Sequence, residues 1–142
     1  MIAVDTNLLV YAHRRDATWH HAAKAKVDAL AESGSPWAIP WPCVHEFLST
    51  VTHPRIYSPP SRMEEAIDQI QAWRESPGCM LLAEGPDHLE SLAAACLAAK
   101  VVGPMVHDAR IVVICQSHGV DELWSADRDF SRFKGLVIRN PL

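Results

Sequence analysis

Short apolar runs alternate with longer stretches of helical spacing from one end of the chain to the other. Ile2–Val4 make a brief β-branched run, compatible with a buried strand. The run stops at Asp5, and Leu8, Leu9 and Tyr11 resume at helical spacing, so Asp5-Thr6-Asn7 reads as the cap of a first helix. Asp16 caps a second helix reaching about Ser33, with Ala22, Ala23, Val27 and Leu30 on one face, and Gly34-Ser35-Pro36 ends it. Trp37–Ile39 form a second strand closed by Pro40, and Pro42 sits in the first turn of a helix whose apolar side is Val44, Phe47, Leu48 and Val51. A proline-bearing loop follows, from His53 to Pro60. Ser61-Arg62-Met63-Glu64 has the form of a capping box and opens a helix through about Glu75. Cys79–Leu82 are a third strand, Asp87 to about Val101 an alanine-rich helix stopped by Gly103-Pro104, and Met105–His118 a further helix ended by Gly119. Glu122–Trp124 and Leu136–Ile138 are the fourth and fifth strands.

Strands alternating with helices predict an α/β fold: a short parallel sheet of four to five strands flanked by helices on both faces. No internal repeat, low-complexity segment or linker interrupts residues 1–142, which form one domain. With 49% hydrophobic and 21% charged residues the composition is that of a globular protein. No apolar run approaches the roughly 20 residues of a membrane span, and no secretory signal is visible. Cys43, Cys79, Cys96 and Cys115 lie far apart and read as separate, mostly buried thiols of a cytoplasmic protein. Cys43 and His45 are close, but no second ligand pair matches them, so a structural zinc site is not expected. A net charge of −4 argues against coating nucleic acid by charge alone, but it leaves room for an enzyme that cuts it.

The chemistry lies in the acids. Asp5 follows the first strand, Asp127 and Asp129 follow the fourth, and Glu46 is in the first half of a helix leaving the second. Asp108 is near the start of its helix, beside the apolar Val106, Ile111, Val112 and Ile114. Asp5, Asp127, Asp129 and Glu46 stand toward the carboxyl edge of the sheet, where open α/β folds bind ligands. Each has an ordinary explanation alone: a cap, a solvated helix residue, a dipole-favoured acid, an Asx turn. Together they would repel one another, unless a divalent cation shares them. Oxygen-only ligands suit Mg²⁺ or Mn²⁺ rather than Zn²⁺.

VDTNLLVY at 4–11, HEFLS at 45–49, HDARIVV at 107–113 and SADRDF at 125–130 also carry a resemblance. In order and spacing the chain resembles the PIN-domain ribonucleases, and among them the VapC toxins of prokaryotic toxin–antitoxin pairs. The resemblance implies that Asp5, Glu46, Asp108 and Asp127 bind Mg²⁺ or Mn²⁺ and carry catalysis, with Asp129 assisting from outside that set. Thr6, Asn7 and Ser125, which stands where the family often has threonine, become supporting polar groups, and Ser49 becomes the residue that orients Glu46. His107 reads either as a subgroup feature or as a packed histidine. The implied activity is hydrolysis of RNA (tRNA, rRNA or mRNA), leaving a 5′-phosphate and a 3′-hydroxyl. The implied partners are a small VapB-like antitoxin, whose carboxyl-terminal segment lies across the site, and a second copy of the chain in a cytoplasmic homodimer.

RNA binding needs positive charge and stacking surfaces near the rim. Arg14 and Arg15 with His13, Arg55 with Tyr57, Arg110 and Arg128 are the candidates. Two other readings share part of the pattern. A PIN nuclease of RNA maturation or DNA flap processing, without an antitoxin, would keep the same acids. A non-catalytic signalling domain of the receiver type would want an acidic pair near the first strand and an Asp ending the third, where this chain has Ala83-Glu84. A haloacid-type phosphatase would want D-x-D after the first strand, where this chain has Asp5-Thr6-Asn7.

Overall fold

β1 (Ile2–Val4) is the central strand of a five-stranded sheet in the computed structural model, which describes residues 1–142. On one side it pairs with β2 (Trp37–Pro40), which pairs with β3 (Cys79–Leu82). On the other it pairs with β4 (Glu122–Trp124), which pairs with β5 (Val137–Arg139). All four pairings are parallel, giving the order β3-β2-β1-β4-β5. Ala3, Val4 and every residue of β2 are buried, which is why these runs are apolar without alternation. The edge strands are partly open, Met80 at 48% and Val137 at 56% exposure.

The helices fill the crossovers. α1 (Thr6–His13) and α2 (His20–Glu32) join β1 to β2, and α3 (Trp41–Val51) and α4 (Met63–Glu75) join β2 to β3. α5 (His88–Ala99) and α6 (Val106–Ser117) return the chain across the sheet to β4. Because parallel crossovers are right-handed, connections running in opposite directions along the sheet cover opposite faces. α1 accordingly packs on α2 and α3, and α3 on α4, while α5 packs on α6. Phe47 of α3 is fully buried, with its ring edge-on to His13 and to Trp73, 5.3 Å between centroids in each case. No helix is long and apolar enough to cross a membrane.

Several boundaries differ from the sequence reading. Asp16 does not cap α2, which begins at His20; its carboxylate is held instead by Arg14. Ser61 does not close a capping box on α4, because its hydroxyl meets His13 Nε2 at 3.0 Å and Arg14 Nη1 at 3.1 Å. Pro40 belongs to β2, opposite Leu82, and β5 starts one residue later than its apolar run, at Val137. α5 stops at Ala99, where Lys100 turns left-handed (φ 54°), and Gly103–Met105 form a 3₁₀ turn leading into α6. Ala22 is exposed rather than on the packed face of α2.

Gly78 shows how tightly the sheet edge is closed. Its φ of +82° is left-handed, and a Cβ there would lie 2.5 Å from the Ser35 carbonyl oxygen. Its own carbonyl accepts from Trp37 N–H at 3.0 Å, so the backbone cannot withdraw. Gly78→Ala is expected to destabilise the fold by about 2–3 kcal/mol in urea titrations.

Candidate active site

The strand order places the site. From β1 the chain moves to β2 on one side, while β4 lies on the other, so the carboxyl ends of β1 and β4 flank a topological switch point. Asp5 N–H donates to Trp124 O at 2.9 Å and Ser125 N–H to Arg139 O at 2.9 Å, extending the pairing just past the strands. Asp5 and Ser125 are thereby fixed side by side although 120 residues apart.

Asp5 occupies the position before α1 but makes no side-chain capping bond. Its carboxylate, 4% exposed, turns across the sheet edge. Oδ2 accepts from Ser125 Oγ at 2.7 Å and from Asn7 Nδ2 at 3.1 Å, and Oδ1 accepts from Cys43 Sγ at 3.5 Å. Asn7 Nδ2 also reaches Ser125 Oγ at 3.2 Å, and Asn7 Oδ1 accepts from Ala126 N–H at 3.1 Å. The Asp127 N–H donates to Ser125 Oγ at 3.0 Å, and the Asp129 N–H to Asp127 Oδ1 at 2.8 Å. One network therefore runs from Asp5 through Asn7 and Ser125 into the turn that presents Asp127. On the other side, Thr6 Oγ1 donates to Glu46 Oε2 at 2.8 Å and ties α1 to α3.

Asp5, Glu46, Asp108 and Asp127 line a single cleft of about 310 Å³, with Thr6, Asn7, Tyr11, Thr50, Tyr57 and Phe130 among its walls. Asp108, Asp127 and Asp129 bring carboxylate oxygens within 4.8 Å of one another. Burial pushes the Asp108 carboxyl up to about 6, helped by the charges of Asp127, Asp5, Asp129 and Glu46. Burial also raises Asp5, against the lowering effect of its hydrogen bonds. With metal chelated, folded Asp108 thus keeps a proton that the unfolded chain releases near its ordinary 3.8. Its penalty on stability is absent below the unfolded value, grows as pH rises between the two, and is complete above about 6. Asp108→Asn is expected to raise the melting temperature of the chelated protein at about pH 8 and to leave it unchanged near pH 4, by thermal melts in EDTA.

Some expected roles fall elsewhere. Ser49 is exposed and makes no hydrogen bond to Glu46; Thr6 takes that role from α1. Asp129 stands beside Asp108 and Asp127, with carboxylate oxygens close to theirs. His107 is exposed, not packed. Among the basic residues, Arg110 is paired with Glu84, with Nε 2.7 Å from Oε1, and Arg14 is held by Asp16, Ser61 and Pro59. Arg15, Arg55 and Arg128 are exposed. His13 is taken up by Gln69 and Ser61 rather than facing solvent as a ligand. Cys43, absent from the sequence-derived set, donates to Asp5; its place one turn before Glu46 on the same helix was the available signal.

The chain matches the PIN domain family over residues 2–136. It is 32% identical over 138 residues to ribonuclease VapC48 of Mycobacterium tuberculosis, covering 96% of this chain and 94% of that protein. To ribonuclease VapC31 of the same organism it is 33% identical over 143 residues, all of both chains. Among solved structures it resembles VapBC2 from Rickettsia felis, determined bound to a DNA fragment from its promoter, with a TM-score of 0.71 at 15% identity over 98% of each chain.

Proposed function

Because the chain belongs to the PIN-domain family, and within it to the VapC ribonucleases, we propose that its acidic cleft hydrolyses RNA phosphodiesters with a divalent cation held by Asp5, Glu46, Asp108 and Asp127. The observation that carries this reading is the convergence of four carboxylates from four separate elements in one cleft. Packing alone rarely selects such a group, and a cation removes the repulsion.

The donor set fits a hard cation. Every candidate ligand is a carboxylate oxygen, which suits Mg²⁺ or Mn²⁺. The one sulfur nearby, Cys43, is held well above its ordinary pKa by burial, so it remains a thiol that donates to Asp5 rather than a thiolate ligand. Such a cation, when bound, supplies neutralisation of phosphoryl charge and acidification of water. The protein's own groups hold the acids in place for it. Ser125, Asn7 and Cys43 lock Asp5 in one orientation, Thr6 fixes Glu46, and the Ser125–Asp127–Asp129 turn aims Asp127.

The VapC relationship supports a VapB-like antitoxin as inhibitor, and an acidic cleft is a natural receptor for a guanidinium that would compete with the cation. It also supports a cytoplasmic homodimer. Leu89 and Leu97 of α5 and the nearby Val102 are 72%, 79% and 81% exposed, and α5 buries no residue within one chain, which leaves an apolar face for a second copy.

The test is cleavage of total cellular RNA by the antitoxin-free protein with Mg²⁺, Mn²⁺ or EDTA, with the new ends mapped. Metal-dependent cuts bearing a 5′-phosphate and a 3′-hydroxyl are expected. A 2′,3′-cyclic phosphate would mark attack by the ribose hydroxyl and overturn the hydrolytic reading.

A further inference from the structure

Tyr57 belongs to the loop between α3 and α4, yet its side chain lines the acidic cleft. The loop is closed at its base by Ser61 N–H donating to Val51 O at 2.8 Å. Its middle is held from outside, by Arg14 at the end of α1. The Arg14 side chain is only 12% exposed. Its Nε and Nη2 grip the Asp16 carboxylate at 2.9 and 2.7 Å, Nη1 donates to Ser61 Oγ at 3.1 Å, and Nη2 donates to the Pro59 carbonyl at 2.9 Å. The guanidinium carbon lies 4.3 Å from the centroid of the Tyr57 ring.

These contacts decide what Arg14 does. Four hydrogen bonds engage a fork that has five N–H groups, and its flat face is spent on an aromatic ring. Little of it remains for a phosphate. Asp16 balances its charge locally, so it adds little to the field around an RNA strand. Tyr57 is different: it faces the cleft, its hydroxyl makes no hydrogen bond, and it is carried by a loop rather than by a helix. In a cleft walled by four carboxylates, stacking offers a bound nucleotide affinity that the acids do not oppose.

Resting on the ribonuclease reading, we propose that Tyr57 is a stacking wall for a nucleobase adjoining the phosphate at the acids, and that Arg14 is the positioning residue that holds it there rather than a phosphate ligand. Lysine cannot replace it, because a single ammonium cannot grip Asp16, Ser61 and Pro59 while lying flat on the ring.

The test is steady-state cleavage of a short fluorescent RNA oligonucleotide containing a mapped site, by wild type, Tyr57→Ala, Tyr57→Phe, Arg14→Gln and the Arg14→Gln/Tyr57→Ala double variant. Tyr57→Ala is expected to raise KM by about tenfold or more with kcat within about twofold, and Tyr57→Phe to match wild type. Arg14→Gln is expected to raise KM by about three- to tenfold, and the double variant to be no worse than Tyr57→Ala alone. The slope of log KM against log salt should be the same for Arg14→Gln as for wild type. A slope lower by about 0.7, with effects that multiply in the double variant, would make Arg14 a phosphate ligand and overturn its positioning role. An unchanged KM in Tyr57→Ala overturns the stacking wall, and this holds even if Arg14→Gln fails to fold. Wild-type protein that cuts no RNA would overturn the ribonuclease reading and this inference together.

Discussion

Asp5→Asn is expected to lower metal-dependent RNA cleavage by about three orders of magnitude while the protein stays folded. A carboxylate that helps hold a catalytic cation is worth several kcal/mol of barrier, and each 1.4 kcal/mol or so is a factor of ten. Stability should move the other way or not at all. Asp5 is almost fully buried, and burial already raises its pKa, so without a cation its charge is a cost to the fold. Asparagine keeps the shape and keeps an oxygen to accept from Ser125. Alanine would instead strand the Ser125 hydroxyl and the Asn7 amide and confuse lost catalysis with lost structure. The check pairs initial cleavage rates with thermal melts in EDTA.

Phe47→Ala is expected to cost about 3–5 kcal/mol, a large share of the roughly 5–15 kcal/mol that holds a typical domain folded. Phe47 is fully buried between His13 of α1 and Trp73 of α4, so its loss opens a cavity where three helices meet. The effect reaches the site as well. Glu46 is the preceding residue, and its bond to Thr6 depends on how α1 and α3 pack. Urea unfolding should show a lower midpoint at an unchanged slope, and cleavage at a temperature where the variant is still folded should fall less than for Asp5→Asn.

The alternation of apolar runs was enough to read five strands, six helices and a parallel sheet, because those depend on local periodicity. The same pattern places Asp5, Glu46, Asp127 and Asp129 toward the carboxyl edge. What periodicity cannot carry is which strand lies beside which. Asp5 was ambiguous between a cap and a site residue because the choice depends on β4 lying next to β1, a pairing 120 residues away. Asp16 and Ser61 have the local form of caps, and both are claimed by Arg14. Ser49 has the right helical spacing from Glu46, but the hydrogen bond comes from Thr6 on another helix. For Cys43 the sequence shows its place one turn before Glu46, but its contact with Asp5 depends on how α3 packs beside β1.

Whether the four acids together hold a divalent cation is read from the melting temperature as Mn²⁺ is titrated into wild type and Asp5→Asn. A cation that binds only the folded state raises wild-type stability by about 2.7 kcal/mol at a hundred times its dissociation constant. The melting temperature is expected to climb with Mn²⁺ in wild type and to respond much less in Asp5→Asn. Equal responses in the two proteins, or none in either, would contradict it.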